Sequence, residues 1–160
     1  IDAVAPRAAG ARVTVALDIE RAADAARRVP SGTADAGELV QALGNLLNNA
    51  VDAVAHARVG AAAADGADRP TDVVLRVDAD AERVRLCVID RGPGIPPARL
   101  ATIFEPFVTG KHGRGGSGLG LALVRSVVER HGGTIEVTNR DDGISGASFT
   151  LVLPRLTVDV

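Results

Sequence analysis

Residues 113–121 read Gly-Arg-Gly-Gly-Ser-Gly-Leu-Gly-Leu, and an amphipathic segment running from Leu119 to His131 follows directly. Glycine lets backbone amides approach a ligand closely and takes positive φ without steric cost. A helix N-terminus placed after such a run is a ready site for anions, phosphate above all. A flexible linker would show the same glycines. The rest of the chain decides between the two readings, because it repeats the theme of glycine and polar residues next to regular elements.

The 160 residues are enough for one domain with its own core. The formal net charge of −2 gives no sign of nucleic acid as a partner. A lone cysteine, Cys87, sits in an apolar run, which suits a reducing compartment better than a reactive thiol. No apolar run approaches the length of a membrane span, and no signal peptide is visible. The expectation is a cytoplasmic domain without direct membrane contact. The chain begins at Ile1 and contains no methionine, which points to a piece of a longer protein.

Alternation over 11–19 predicts a strand, and 20–34 reads as loop. Residues 35–56 carry Leu39, Leu43, Leu46, Leu47, Ala50, Val51 and Val54 at helical spacing. Asp35 with Glu38 three residues on resembles a capping box. Residues 58–71 have no period and read as an inserted loop. Strands are predicted over 72–79 and 83–90, a short helix near 97–103, a helix over 118–131 closed by Gly132-Gly133, and strands over 134–139 and 146–153. This order predicts a two-layer sandwich: a mostly antiparallel sheet with helices on one face.

Three further stretches carry polar chemistry. Gly44, Asn45, Asn48 and Asn49 are weak helix formers in the middle of the long helix, a local conflict found mostly at functional sites. Asn45 and Asn49 share a face, with Gln41, Asp52 and His56 nearby. Amide oxygens in that array suit Mg²⁺, although the same stripe would also serve as a wet face. Asp90 continues the apolar face of its strand and is followed by Arg91-Gly92-Pro93-Gly94-Ile95. A buried carboxylate there needs a donor, and the exocyclic amine of a purine is one; an ordinary Asp-x-Gly-x-Gly turn is the alternative. Phe104-Glu105-Pro106-Phe107 could anchor a loop by its two aromatic rings. Thr109 and Lys111 follow, the lysine either placed for a terminal phosphate or simply on the surface.

These patches occur in the order of the N, G1, F and G2 boxes of the catalytic and ATP-binding domain of bacterial sensor histidine kinases, which the chain strongly resembles. The matches are Asn45-Leu46-Leu47-Asn48-Asn49-Ala50, Asp90-Arg91-Gly92-Pro93-Gly94-Ile95, Phe104-Glu105-Pro106-Phe107 and Gly116-Ser117-Gly118-Leu119-Gly120-Leu121. His131-Gly132-Gly133 is also similar to the family. The resemblance covers about 11–154 within a single catalytic domain spanning 1–160. It implies the Bergerat-type ATP-binding fold, a two-layer α/β (α+β) sandwich whose mixed, mostly antiparallel sheet is covered by about three helices on one face, with ATP and Mg²⁺ as cofactors. By resemblance Asn49 holds the metal, Asn45 contacts the phosphates, and Asp90 bonds the adenine amine in a pocket shaped by Gly92, Gly94 and Ile95. Thr109, Lys111 and the amides from Gly116 through Ser117, Gly118, Leu119 and Gly120 to Leu121 hold the triphosphate. Asp52 belongs to the same site, and 91–116 forms a lid.

Two positions depart from related patterns. ATPases of the superfamily carry a water-activating glutamate where Asn45 stands, which favours kinase over hydrolase. Many sensor kinases carry lysine where Asp52 stands; Asn49-Ala50-Val51-Asp52-Ala53 resembles the nitrogen-regulatory and dicarboxylate-sensing branches. None of His56, His112 and His131 has the context of a phosphoacceptor, so the resemblance implies a separate upstream dimerisation domain carrying that histidine, and a response regulator as downstream partner. The inner membrane is a conceivable anchor for the parent protein. A serine kinase or ATPase of the same superfamily, and a degenerate regulator that binds no nucleotide, are the alternatives.

Overall fold

The computed structural model describes residues 13–21, 33–58, 71–80, 82–108, 118–155 and 157–158. Its centre is a five-stranded sheet in the order β1-β3-β4-β6-β5, built from β1 (Val15–Arg21), β3 (Val73–Ala79), β4 (Arg83–Asp90), β5 (Thr134–Asn139) and β6 (Ala147–Pro154). Within this sheet β1 and β3 pair in parallel and the other described pairs are antiparallel. The mixed, mostly antiparallel sheet expected from the sequence is therefore present.

Alternation sets the face. Val73, Leu75, Val88, Phe149, Leu151 and Leu153 point to one side and are buried. Two long helices, α1 (Ala36–Arg58) and α3 (Gly120–Arg130), cover that side and pack on each other. Leu46, Leu47, Ala50, Val51 and Val54 of α1 meet Val124, Val127 and Val128 of α3 in one core cluster, with Leu39 and Leu43 at its margin. The third helix, α2 (Pro97–Leu100), is a single turn started by proline at its first position and buries no residue.

The expected boundaries of β4 and β5 match, while the first strand is displaced to Val15–Arg21. The loop expected over 20–34 contains a strand at its end: β2 (Thr33–Ala34) pairs in parallel with β7 (Thr157–Val158) as a small second sheet. Two residues give no alternation to read, so only the partner strand makes this element visible.

The two helix ends show how local chemistry and tertiary contact combine. Asp35 caps α1 through Oδ1, which accepts the Glu38 amide at 3.1 Å. Glu38 does not return the bond as a capping box would; it pairs with Arg130 of α3 at 2.8 Å. The Asp35 amide instead donates to Nε2 of His131 at 3.1 Å. His131 Nδ1 lies 2.8 Å from the Val127 carbonyl, so with Nε2 accepting, the proton sits on Nδ1. His131 acts here as an acceptor at the start of α1. The α3 terminus is a Schellman motif: Gly133 N–H donates to Val128 and Gly132 N–H to Glu129, with Gly132 at φ +70°.

Candidate functional site

Two buried carboxylates, Asp72 and Asp90, lie where β3 begins and β4 ends, and they are used differently. Asp72 spends both oxygens on the protein. Oδ2 accepts the amide and hydroxyl of Thr14, and Oδ1 pairs with Arg58 at the end of α1. Asp72 thereby ties the starts of β1 and β3 to α1, and its carbonyl accepts the Arg91 amide at 2.9 Å. The sequence does not single out this residue, because one aspartate before an alternating strand looks like a strand boundary.

Asp90 is 3% exposed and, among the described residues, is bonded through one oxygen. Oδ1 accepts the amides of Gly92 at 2.7 Å and Ala147 at 3.2 Å. Among the described residues none donates to Oδ2. Burial raises the Asp90 carboxyl above its ordinary range, opposed by the two amides and by Arg140. The expectation that Asp90 closes the core-facing side of its strand holds.

Gly92 brings this segment against the long helix. A Cβ there would lie 2.9 Å from the Ala53 methyl and 2.9 Å from Asp90 Oδ1. Ala53 is one helical turn beyond Asn49, which is itself one turn beyond Asn45, so the contact sets Asp90 alongside the asparagine face. Asn45, Asn49 and Asp52 are half-buried at the margin of that face, whereas Gln41, Asn48 and His56 are exposed. His56 Nδ1 lies 2.6 Å from the Asp52 carbonyl. Gly44 is different: a Cβ on it would meet nothing within 4 Å, so close packing does not account for that glycine.

Gly94 takes φ +75°, and a Cβ on it would sit 2.9 Å from Asn139 Oδ1. Ile95 packs on the core cluster. Gly146 closes the other side, where a Cβ would overlap the Asp90 carbonyl. Neither Asn139 nor Gly146 stands out in the sequence; they belong to the last hairpin and reach Asp90 and Ile95 only through the sheet.

The two phenylalanines of the third box part company. Phe104 packs edge-on against Phe149 with ring centroids 6.3 Å apart, an anchor as expected. Phe107 is 75% exposed and anchors nothing in the core. Its backbone takes φ +66° and its amide donates to the Gly118 carbonyl at 3.0 Å, and a Cβ on Gly118 would collide with the Phe107 backbone. That pairing of backbones, made where the chain enters and leaves 109–117, needs glycine at 118. Thr109, Lys111, Gly116 and Ser117 lie outside the described residues. Leu119 precedes α3, whose N-terminus has no side-chain cap; Gly120 and Leu121 form its first turn, and a Cβ on Gly120 would meet nothing within 4 Å. The first turn of a helix without a side-chain cap is a place where an anion is favourable.

The sandwich thus sets a buried carboxylate beneath a glycine turn and beside an asparagine helix face. The sequence model of the family described as histidine kinase-, DNA gyrase B- and HSP90-like ATPase matches residues 34–157, and the chain belongs to this family, on its histidine kinase side. The sensory histidine kinase/phosphatase NtrB of Rhizobium meliloti (strain 1021) is 38% identical over 130 residues, which are 79% of this chain and 32% of that protein. The chain thus spans about a third of that relative's length. Among solved structures, the catalytic domain of histidine kinase ThkA is similar with a TM-score of 0.65 and 27% identity, covering 91% of this chain and 82% of that one. Full-length ShkA in complex with AMPPNP has a TM-score of 0.65 and 31% identity, over 92% of this chain and 27% of that one. Among the described residues no helix is long and apolar enough to cross a membrane.

Proposed function

We propose that the domain binds Mg-ATP and presents its γ-phosphoryl group to a histidine on a separate dimerisation domain, as the first step of two-component signalling to a response regulator. The observation that carries this reading is Asp90. It is buried, held by two amides on one oxygen, and leaves the other as an acceptor for the adenine amine. The nucleotide complex of the similar ShkA supports it.

The residues fit the ligand along its length. Asp90 accepts from the base, Gly92, Gly94 and Ile95 shape the wall beneath it, and Asn45 faces the phosphates. The start of α3 from Leu119 to Leu121 lends amides to the phosphate end, joined by Thr109, Lys111, Gly116, Ser117 and Gly118 through the family resemblance. Among the described residues no three His, Cys, Asp or Glu side chains converge as a metal site. The Asn49 amide oxygen, with Asp52 one turn away, is the protein's offer to Mg²⁺ by the family resemblance, and the ion binds mainly through phosphates and water. When bound, Mg-ATP supplies the transferable phosphoryl group and the neutralisation of its charge.

Asn45 is an amide where a hydrolase needs a base, so the chain positions the phosphoryl group without activating water. His131 is committed to the α1 start and His56 to the α1 end, and the acceptor histidine is assigned to another domain. The test is titration of the chain with a fluorescent ATP analogue, with Mg²⁺ and with chelator, beside Asn49→Ala. Magnesium-dependent binding that the variant loses is the expected result. A folded chain that binds no nucleotide would overturn the reading in favour of a non-catalytic regulator.

A further inference from the structure

The last strand-turn of β5 grips the segment that follows Asp90. Asn139 Oδ1 accepts the Ile95 amide at 2.7 Å, and Asn139 Nδ2 donates to the Ile95 carbonyl at 2.7 Å. One side chain thus satisfies both backbone groups of Ile95, as a neighbouring strand would. The same Oδ1 lies against Gly94, where a Cβ would come within 2.9 Å. The next residue, Arg140, points Nη1 at the Asp90 carbonyl at 3.4 Å while pairing with Asp142, and its amide donates to Gly146 at 3.0 Å. The turn from Asp90 to Ile95 has no regular ladder of its own, so these bonds hold it.

We propose that Asn139 is a positioning residue for base recognition: its two-bond clamp on Ile95 sets the Gly94 turn and keeps Asp90 aimed at the purine 6-amine. The proposal rests on the nucleotide reading above. A turn held before the ligand arrives does not have to be ordered on binding, and that saved ordering appears as affinity and base selectivity. Loss of the clamp therefore acts on the base end and leaves the phosphate end alone.

The experiment compares the affinities of ATP and inosine triphosphate, which carries a carbonyl in place of the 6-amine, for the 160-residue chain and for Asn139→Ala. The expected result is a loss of about tenfold for ATP, the equivalent of one to two hydrogen bonds, with a much smaller loss for inosine triphosphate. A parallel loss for both nucleotides marks a merely structural role and overturns the proposal, as does an unchanged ATP affinity. Where the alanine variant does not fold, Asn139→Asp keeps the size and the Oδ1 acceptor but sets an oxygen against the Ile95 carbonyl, and the same selectivity loss is expected. In the unaltered chain the Ile95 amide should exchange slowly with solvent; free exchange overturns the clamp. An unaltered chain that binds neither nucleotide sinks the nucleotide reading itself, an outcome distinct from a bound ATP that ignores Asn139.

Discussion

Gly92 rests on Ala53 so closely that a side-chain carbon on the glycine would lie 2.9 Å from the alanine methyl. Gly92→Ala must push the Asp90 segment off α1 or distort the Asp90 carboxylate, which would also be 2.9 Å away. Overpacking of this kind costs about 1–3 kcal/mol. Urea unfolding should show that loss, and ATP affinity should fall with it. An alanine variant as stable as the parent would contradict the contact.

Asp90→Asn separates stability from recognition. Only the Asn oxygen accepts hydrogen bonds, so it takes over the Gly92 and Ala147 amides and turns Nδ2 toward the ligand. A donor then faces the adenine amine, and ATP affinity should drop about ten- to a hundredfold. Inosine triphosphate, with an acceptor at that position, should lose far less. Competition binding with the two nucleotides checks this.

The same variant carries a pH signature. Burial raises the folded pKa of Asp90, so its favourable contribution is complete below the ordinary value of 3.8 and is lost as pH rises through the folded value. The ligand-free Asn variant should therefore melt above the parent at neutral pH, and the difference should shrink as the pH is lowered toward 3.8. Melting curves across that range, on matched buffers, give the sign directly.

Gly44 stands in α1 with open space beside it. Gly44→Ala should stabilise the ligand-free chain by about 0.5–1 kcal/mol, the ordinary gain for replacing a mid-helix glycine. Chemical denaturation measures it. A loss of stability would mean that something other than helix propensity governs the position.

His131→Ala removes the acceptor for the Asp35 amide and should cost about 1 kcal/mol. Asp35→Ala removes the cap on the Glu38 amide and should cost about as much. Both changes loosen the same first turn of α1, so the double variant should lose less than the sum. A double-mutant cycle in urea tests the coupling.

Much of the site is legible in the chain's local patterns. Asp90 is readable because a carboxylate continues the pattern of Val84, Leu86 and Val88, and burial bears that out. Asn45 and Asn49 are readable because four residues make about one helical turn. Phe107 reads as an anchor beside Phe104, and the structure corrects this: the left-handed backbone at Phe107 turns its ring outward. The α1 start is half legible: the Asp35 cap is local, but the return partner is a histidine 96 residues away.

The sequence by itself determined the two long helices, the strands from β3 to β6, the sheet's apolar face and the order of the glycine and asparagine patches, because periodicity and turn chemistry act over a few residues. Only the tertiary structure decided which oxygen of Asp90 is spent, that Asp72 is saturated, and that Asn139 reaches Ile95 across 44 residues. Those facts depend on which strands lie side by side. Strand pairing is a contest of long-range burial and hydrogen bonding, and no short window of residues records its outcome.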